Sequence, residues 1–156
     1  MKVDVVIDRF VERLTHEGWH FNTIVSATWI DSFEERLPAK LPRSFSSLVK
    51  RYSFASFQFG GINFFSNLGT DDEEDLVNAV FRDRHLTAAL ANGFVQIGRP
   101  ESGSYDLVCF NTHGRRAAEY PLVVLDHEEL LQYNKVRITK TVAQSLLELV
   151  RRAQAG

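Results

Sequence analysis

A single cysteine, Cys109, is all the sulfur chemistry that the 156 residues could use for cross-linking. One thiol makes no disulfide framework and no CxxC zinc pair. Cys109 sits inside the apolar run LVCF, which marks a buried, inert thiol rather than a nucleophile. Long hydrophobic runs are missing too, and no stretch approaches the roughly 20 apolar residues of a membrane span. Asp4, Asp8 and Arg9 break the apolar residues of the first turns, which is incompatible with a signal-peptide core there. The expectation is a soluble, cytoplasmic protein that does not engage a membrane. Positive charge is also scarce, with a formal net charge of −2. Phosphate contacts dominate nucleic-acid affinity and leave a basic footprint, so direct nucleic-acid binding is not expected. No GxSxG elbow and no paired-carboxylate signature occur. The loop IGRPESG, Ile97 to Gly103, lacks the glycine spacing and the Lys-Ser/Thr of a phosphate loop.

What is present is an ordinary globular composition, 44% hydrophobic and 24% charged, which excludes whole-chain disorder. The length fits one domain, able to bury roughly 68–70% of its unfolded surface. Val3, Val6, Phe10 and Leu14 recur at helical spacing, widened by Ile7 and Val11, so residues 2–17 are expected to form an amphipathic helix stopped at Gly18. A second helix begins at Ser26 or Thr28, with Thr28 and Asp31 as a capping-box pair, and ends at Pro38. Pro42 opens a third helix carrying Phe45, Leu48, Val49 and Tyr52. Residues 54–65 read as a hairpin turning at Gly60-Gly61. One long helical pattern runs from Leu76 to Leu90, closed by Asn92-Gly93. Strands are expected at Phe94–Gly98, Tyr105–Asn111, Leu122–Leu125 and Val136–Thr139. The wholly apolar LVVL marks a central strand covered on both faces. Thr141 with Gln144 reads as the capping box of a final helix carrying Val142, Leu146, Leu149 and Val150. The order implies an α+β fold, one domain over residues 1–156.

The stretch KRYSFASFQF, Lys50 to Phe59, tests that reading. Lys50, Tyr52, Phe54 and Phe57 fill four places of the base-stacking strand of an RNA-recognition motif. Arg51 and Ser53 stand where that motif needs glycine and a small residue, and the upstream segment is helical and broken by proline. Six of the twelve phenylalanines fall between Phe45 and Phe65, a density that points to a core layer.

Two groups of polar residues remain as candidates. Asp71, Asp72, Glu73, Glu74 and Asp75 form an acidic run before a helix, where the dipole favours negative charge. The run lacks the ligand spacing of a calcium loop, so its functional reading is a surface for a basic partner. The five histidines are read as forming no metal set. His127 beside Asp126 and Glu128 is the most suggestive, with a hydrogen-bonded histidine at a strand end as the plain alternative. No cofactor is expected.

Four segments, taken in order, resemble the SUKH superfamily of fungal cell-wall regulators and bacterial immunity proteins. They are IDSFEERLPAKLPRSFSSLVKRYS (Phe33, Glu34, Leu41, Pro42, Tyr52), FVQIGRPESGSYDLVCFN (Phe94, Ile97, Gly98, Gly103, Tyr105, Phe110), YPLVVLDHEE (Asp126, His127, Glu128) and the closing TVAQSLLELV. The likeness spans residues 26–152 and departs where Ser53-Phe54 runs straight into a strand instead of an Asn-Gly-like turn. It implies a single α+β domain with a mixed, mostly antiparallel sheet packed by helices. It also implies a non-enzymatic protein-binding role, first as an immunity protein that neutralises a bacterial toxin. A nuclease toxin is basic, and an acidic rim over Asp71–Asp75 would steer its approach. An intracellular regulatory or scaffolding module is the alternative within the superfamily. A metal-dependent hydrolase is a more distant one and requires His127, Asp126 and another acid to converge.

Overall fold

The computed structural model describes residues 2–24, 27–82, 87–114 and 118–155. The chain opens with helix α1 (Val3–His16), which turns Val6, Ile7, Phe10, Val11 and Leu14 inward. Strand β1 (Phe21–Thr23) follows, then α2 (Thr28–Glu35) and α3 (Arg43–Arg51). Tyr52 caps α3 and begins β2 (Tyr52–Phe54), which pairs antiparallel with β1. β3 (Phe57–Phe59) and β4 (Ile62–Phe64) form the Gly60-Gly61 hairpin, with φ of +60° and +80° at the turn. Only residues without a Cβ take two such values in succession at no steric cost. Helices α4 (Leu76–Phe81) and α5 (Thr87–Ala91) precede β5 (Phe94–Pro100) and β6 (Leu107–Asn111). A short 3₁₀ turn, residues 112–114, leads toward β7 (Leu122–Leu125). α6 (His127–Tyr133), β8 (Ile138–Ala143) and α7 (Leu146–Ala155) complete the chain.

β3 to β8 lie side by side in chain order as one six-stranded antiparallel sheet. The α+β architecture expected from the sequence is therefore present, as a meander in which every strand pairing among the described residues is antiparallel. Strand side chains alternate between faces, and β7 shows why LVVL is wholly apolar. Leu122 and Val124 enter the main core with α1, α3 and α7, whereas Val123 and Leu125 enter a second cluster with Ala88, Ala89 and Leu130. Phe45 of α3 meets Phe110 of β6 edge to face at 5.3 Å, a geometry the ring quadrupoles favour.

The aromatic stretch is core. Phe54, Phe57 and Phe64 are buried to 2% exposure or less, and the Phe57 and Phe64 rings stack at 4.7 Å. Their faces are not available to nucleic-acid bases.

Several local expectations are corrected. Phe54 lies outside the hairpin, because it pairs with Phe21 in the two-stranded sheet. The helical pattern from Leu76 to Leu90 resolves into α4 and α5, while Leu86 lies outside the described residues. Thr28 does not cap α2; Ala27 holds that position with no side-chain bond. Pro42 is the N-cap of α3 rather than its first helical residue. Thr141 and Val142 belong to β8, and α7 is capped by Ser145, whose Oγ accepts the Glu148 N–H at 2.9 Å. The strand expected at Val136–Thr139 begins at Ile138 and runs to Ala143.

Candidate functional site

The acidic run occupies the connection between β4 and α4. Asp72 Oδ1 accepts the Glu74 N–H at 2.9 Å. Asn78 Nδ2 donates to the Thr70 and Asp72 carbonyls at 2.8 and 2.9 Å. Asp75 is 1% exposed, and its Oδ1 accepts from Ser66 Oγ at 3.0 Å and from the Gly69 N–H at 3.1 Å. Asp75 thus works inward, fastening the loop to the end of β4. The other four acids face solvent. Asp71 is fully exposed and meets Arg82 only at 3.6 Å, a contact that water screens strongly. The solvent-exposed part of the run is therefore Asp71, Asp72, Glu73 and Glu74.

Glu74 also forms one wall of a cleft of about 380 Å³. Gln58, Asn63 and Arg99 lie on β3, β4 and β5, in register as neighbouring pairs. Phe57, Ile62 and Phe64 point into the main core, so alternation places the polar row on the opposite face of the sheet. β4 and β5 approach closely here. A Cβ on Gly98 would stand 2.3 Å from the Asn63 carbonyl oxygen, so only glycine admits this spacing. The Arg99 guanidinium lies 5.8 Å from the Phe65 ring and 5.4 Å from the Tyr105 ring, within cation–π range. Its Nη1 reaches Glu74 Oε1 at 3.5 Å. Arg99 Nε and Asn63 Oδ1 are buried and have no hydrogen-bond partner among the described residues. Such atoms cost the free chain about 1–3 kcal/mol each. Tyr105, 68% exposed, and Trp19 add aromatic walls.

A third constellation lies beyond Tyr105. Asp126 caps α6 by accepting the Glu128 and Glu129 N–H groups at 2.9 and 3.3 Å. His127 opens that helix, and its Nδ1 donates to Asp106 Oδ1 at 2.6 Å, with the His127 N–H joining at 3.1 Å. Burial alone would raise the Asp106 pKa, but the His127 hydrogen bonds outweigh it and hold the carboxyl below its usual range. One ligand atom from each of Asp106, Asp126 and His127 falls within 4.8 Å of the others. His127 is thus a hydrogen-bonded helix-start residue, where the sequence pointed to the end of a strand.

Sequence reasoning missed Asn63, Arg99 and Asp106. The signal for Asn63 was a lone amide in the apolar run INFF; Arg99 and Asp106 gave none without the strand register. It also read the histidine spacings as containing no HxxxH or HExxH, whereas His16-Glu17-Gly18-Trp19-His20 has the letter spacing of a zinc-protease HExxH. That motif needs a continuous helix to set both imidazoles on one face. Here α1 ends at His16 and Gly18 takes a φ of +99°, so the helical spacing is lost. His85 lies outside the described residues.

Compared with known proteins, the chain matches no family model, no curated protein and no solved structure.

Proposed function

We propose that the chain is a non-enzymatic, SUKH-like binding domain that recognises a basic protein partner, in the manner of an immunity protein neutralising a toxin. The observation that carries this reading is a continuous recognition surface. Four exposed carboxylates stand on an internally braced loop, and the last of them, Glu74, passes directly into a cleft holding unpartnered polar atoms. A braced loop loses little conformational entropy on binding, and clustered like charges steer an oppositely charged partner. The SUKH resemblance supplies the immunity role. Co-expression with the product of the adjacent gene tests it: a stable complex that abolishes that product's toxicity supports the reading, and an adjacent gene whose product neither binds nor harms cells counts against it. Stable capture of several endogenous partners would instead favour the regulatory module.

One observation favours a metal-dependent hydrolase as a second reading, namely the convergence of Asp106, Asp126 and His127. Against it, Asp106 and His127 are engaged with each other, and Asp126 is engaged with the α6 backbone. A metal would have to displace those bonds. Thermal unfolding with zinc or manganese added discriminates, since a metal site raises the midpoint and an unchanged midpoint removes this reading.

A further inference from the structure

We propose that the cleft beside Glu74 is a receptor for a main-chain peptide group, presented by a loop of the partner and bound between Arg99 and Asn63. The inference rests on the protein-binding reading above and names what that surface grips.

Among the described residues three buried side-chain atoms lack a partner: Asp75 Oδ2 and, on residues lining this cleft, one donor, Arg99 Nε–H, and one acceptor, Asn63 Oδ1. The latter two belong to residues paired directly across β4 and β5. A secondary amide carries one acceptor and one donor, so it satisfies both atoms and leaves nothing of its own unpaired. A primary carboxamide would bring a second N–H without a matching acceptor. A carboxylate would answer Arg99 but offer nothing to Asn63 Oδ1, and it would meet the Glu74 carboxylate already facing the guanidinium at 3.5 Å. An ammonium would answer Asn63 and Glu74 but meet the charge of Arg99. An apolar group would leave both atoms orphaned.

The walls agree with that selection. The Tyr105 ring lies over the guanidinium at 5.4 Å and is largely solvent-exposed. It belongs to the loop between β5 and β6, so its side chain can shift to admit a ligand without disturbing the sheet. The flat faces of Tyr105 and Trp19 then stack on the planes of a peptide chain. Forming the two hydrogen bonds recovers in the complex what the free chain forgoes at those atoms. This is a device for making affinity conditional on one ligand geometry.

The test uses the full chain, ¹⁵N-labelled and without any partner protein. N-methylacetamide, acetamide, acetate and methylammonium are titrated separately, and the Arg99 Nε–H and Asn63 side-chain amide resonances are followed. The expected result is a saturable shift of both signals with N-methylacetamide, half-complete on the order of 0.1 M, with a weaker response to acetamide. Asn63→Leu abolishes the response. Acetate shifting the Arg99 signal as strongly as N-methylacetamide would overturn the proposal in favour of an anion site, and no saturable shift with any probe would overturn it outright. Because no macromolecular partner is present, either result leaves the binding reading itself standing, while failure of the adjacent gene product to bind leaves the titration intact.

Discussion

Glu119 caps helix α3 through Ser44, which lies 75 residues before it in the chain. Its carboxylate accepts the Ser44 N–H at 2.7 Å and the Ser44 hydroxyl at 2.5 Å, in a fully enclosed setting. Pro42, the N-cap of α3, offers no side-chain oxygen, so a residue from a distant segment supplies the acceptor and the negative charge that a helix start favours. Glu119→Ala removes that acceptor and leaves buried donors unpaired. It should destabilise the fold by about 3 kcal/mol, a fall of roughly 6–12 °C in the unfolding midpoint for a chain of this size. Circular dichroism melts measure it, and a fall under about 2 °C would show that α3 does not depend on Glu119.

The close approach of β4 and β5 makes a second prediction. Gly98→Ala puts a methyl where the Asn63 carbonyl already stands. Backbone cannot yield as a flexible side chain can, so the expected loss is about 3 kcal/mol. Gly103→Ala is the control for added bulk, since nothing stands within 4 Å of a Cβ there, although its φ of +89° costs an alanine about 1–2 kcal/mol of its own. Equal melts for the two variants would contradict the strand geometry beneath the cleft.

Tyr52 donates its hydroxyl to Asp8 Oδ1 at 2.5 Å. Burial first, then the hydrogen bond and charge of Asp8, push its pKa up to about 12. The folded pKa exceeds the unfolded value near 10, so this contribution to stability is complete below pH 10 and is lost as pH rises toward 12. Tyrosinate absorbance in an alkaline titration should show a late-ionising step from Tyr52. Tyr52→Phe should remove that late step, and its persistence in the variant would assign it elsewhere.

The Asp106–His127 pair makes an acid-side prediction. The folded Asp106 pKa is depressed, so its contribution is present above the unfolded carboxylate value, near 3.9. It is lost as pH falls through the lower folded value. The difference in melting midpoint between the wild type and Asp106→Asn should therefore narrow as pH falls below about 4. A difference that instead closes between pH 7 and 5 would place the controlling titration on another group.

Much of the fold was readable in advance because its causes are local. The stripe of α1, the Gly60-Gly61 turn and the two-sided burial of LVVL each follow from a few adjacent residues. What escaped depends on partners far away in the chain. Thr141-x-x-Gln144 and Ser145-x-x-Glu148 are consecutive capping patterns, and pairing of Thr141 with Val123 across β8 and β7 decides between them. Phe54 was assigned to the hairpin because its partner, Phe21, lies in a strand too short to announce itself. The cleft was invisible for the same reason. Asn63 and Arg99 become neighbours only once β4 and β5 are in register. The acidic run was visible as five carboxylates, but the inward turn of Asp75 depends on Ser66 and Gly69.

The most direct test of protein recognition is calorimetry of the chain against the purified product of the adjacent gene. The wild type is compared with a variant carrying Asp71→Asn, Asp72→Asn, Glu73→Gln and Glu74→Gln. The amide introduced at position 72 keeps a side-chain oxygen to brace the Glu74 N–H position, as Asp72 Oδ1 does in the wild type. A one-to-one complex is predicted, weakened at least tenfold in the variant at low salt, with the gap narrowing as salt screens the rim. No measurable binding by the wild type, or equal affinity in the two proteins, would contradict it.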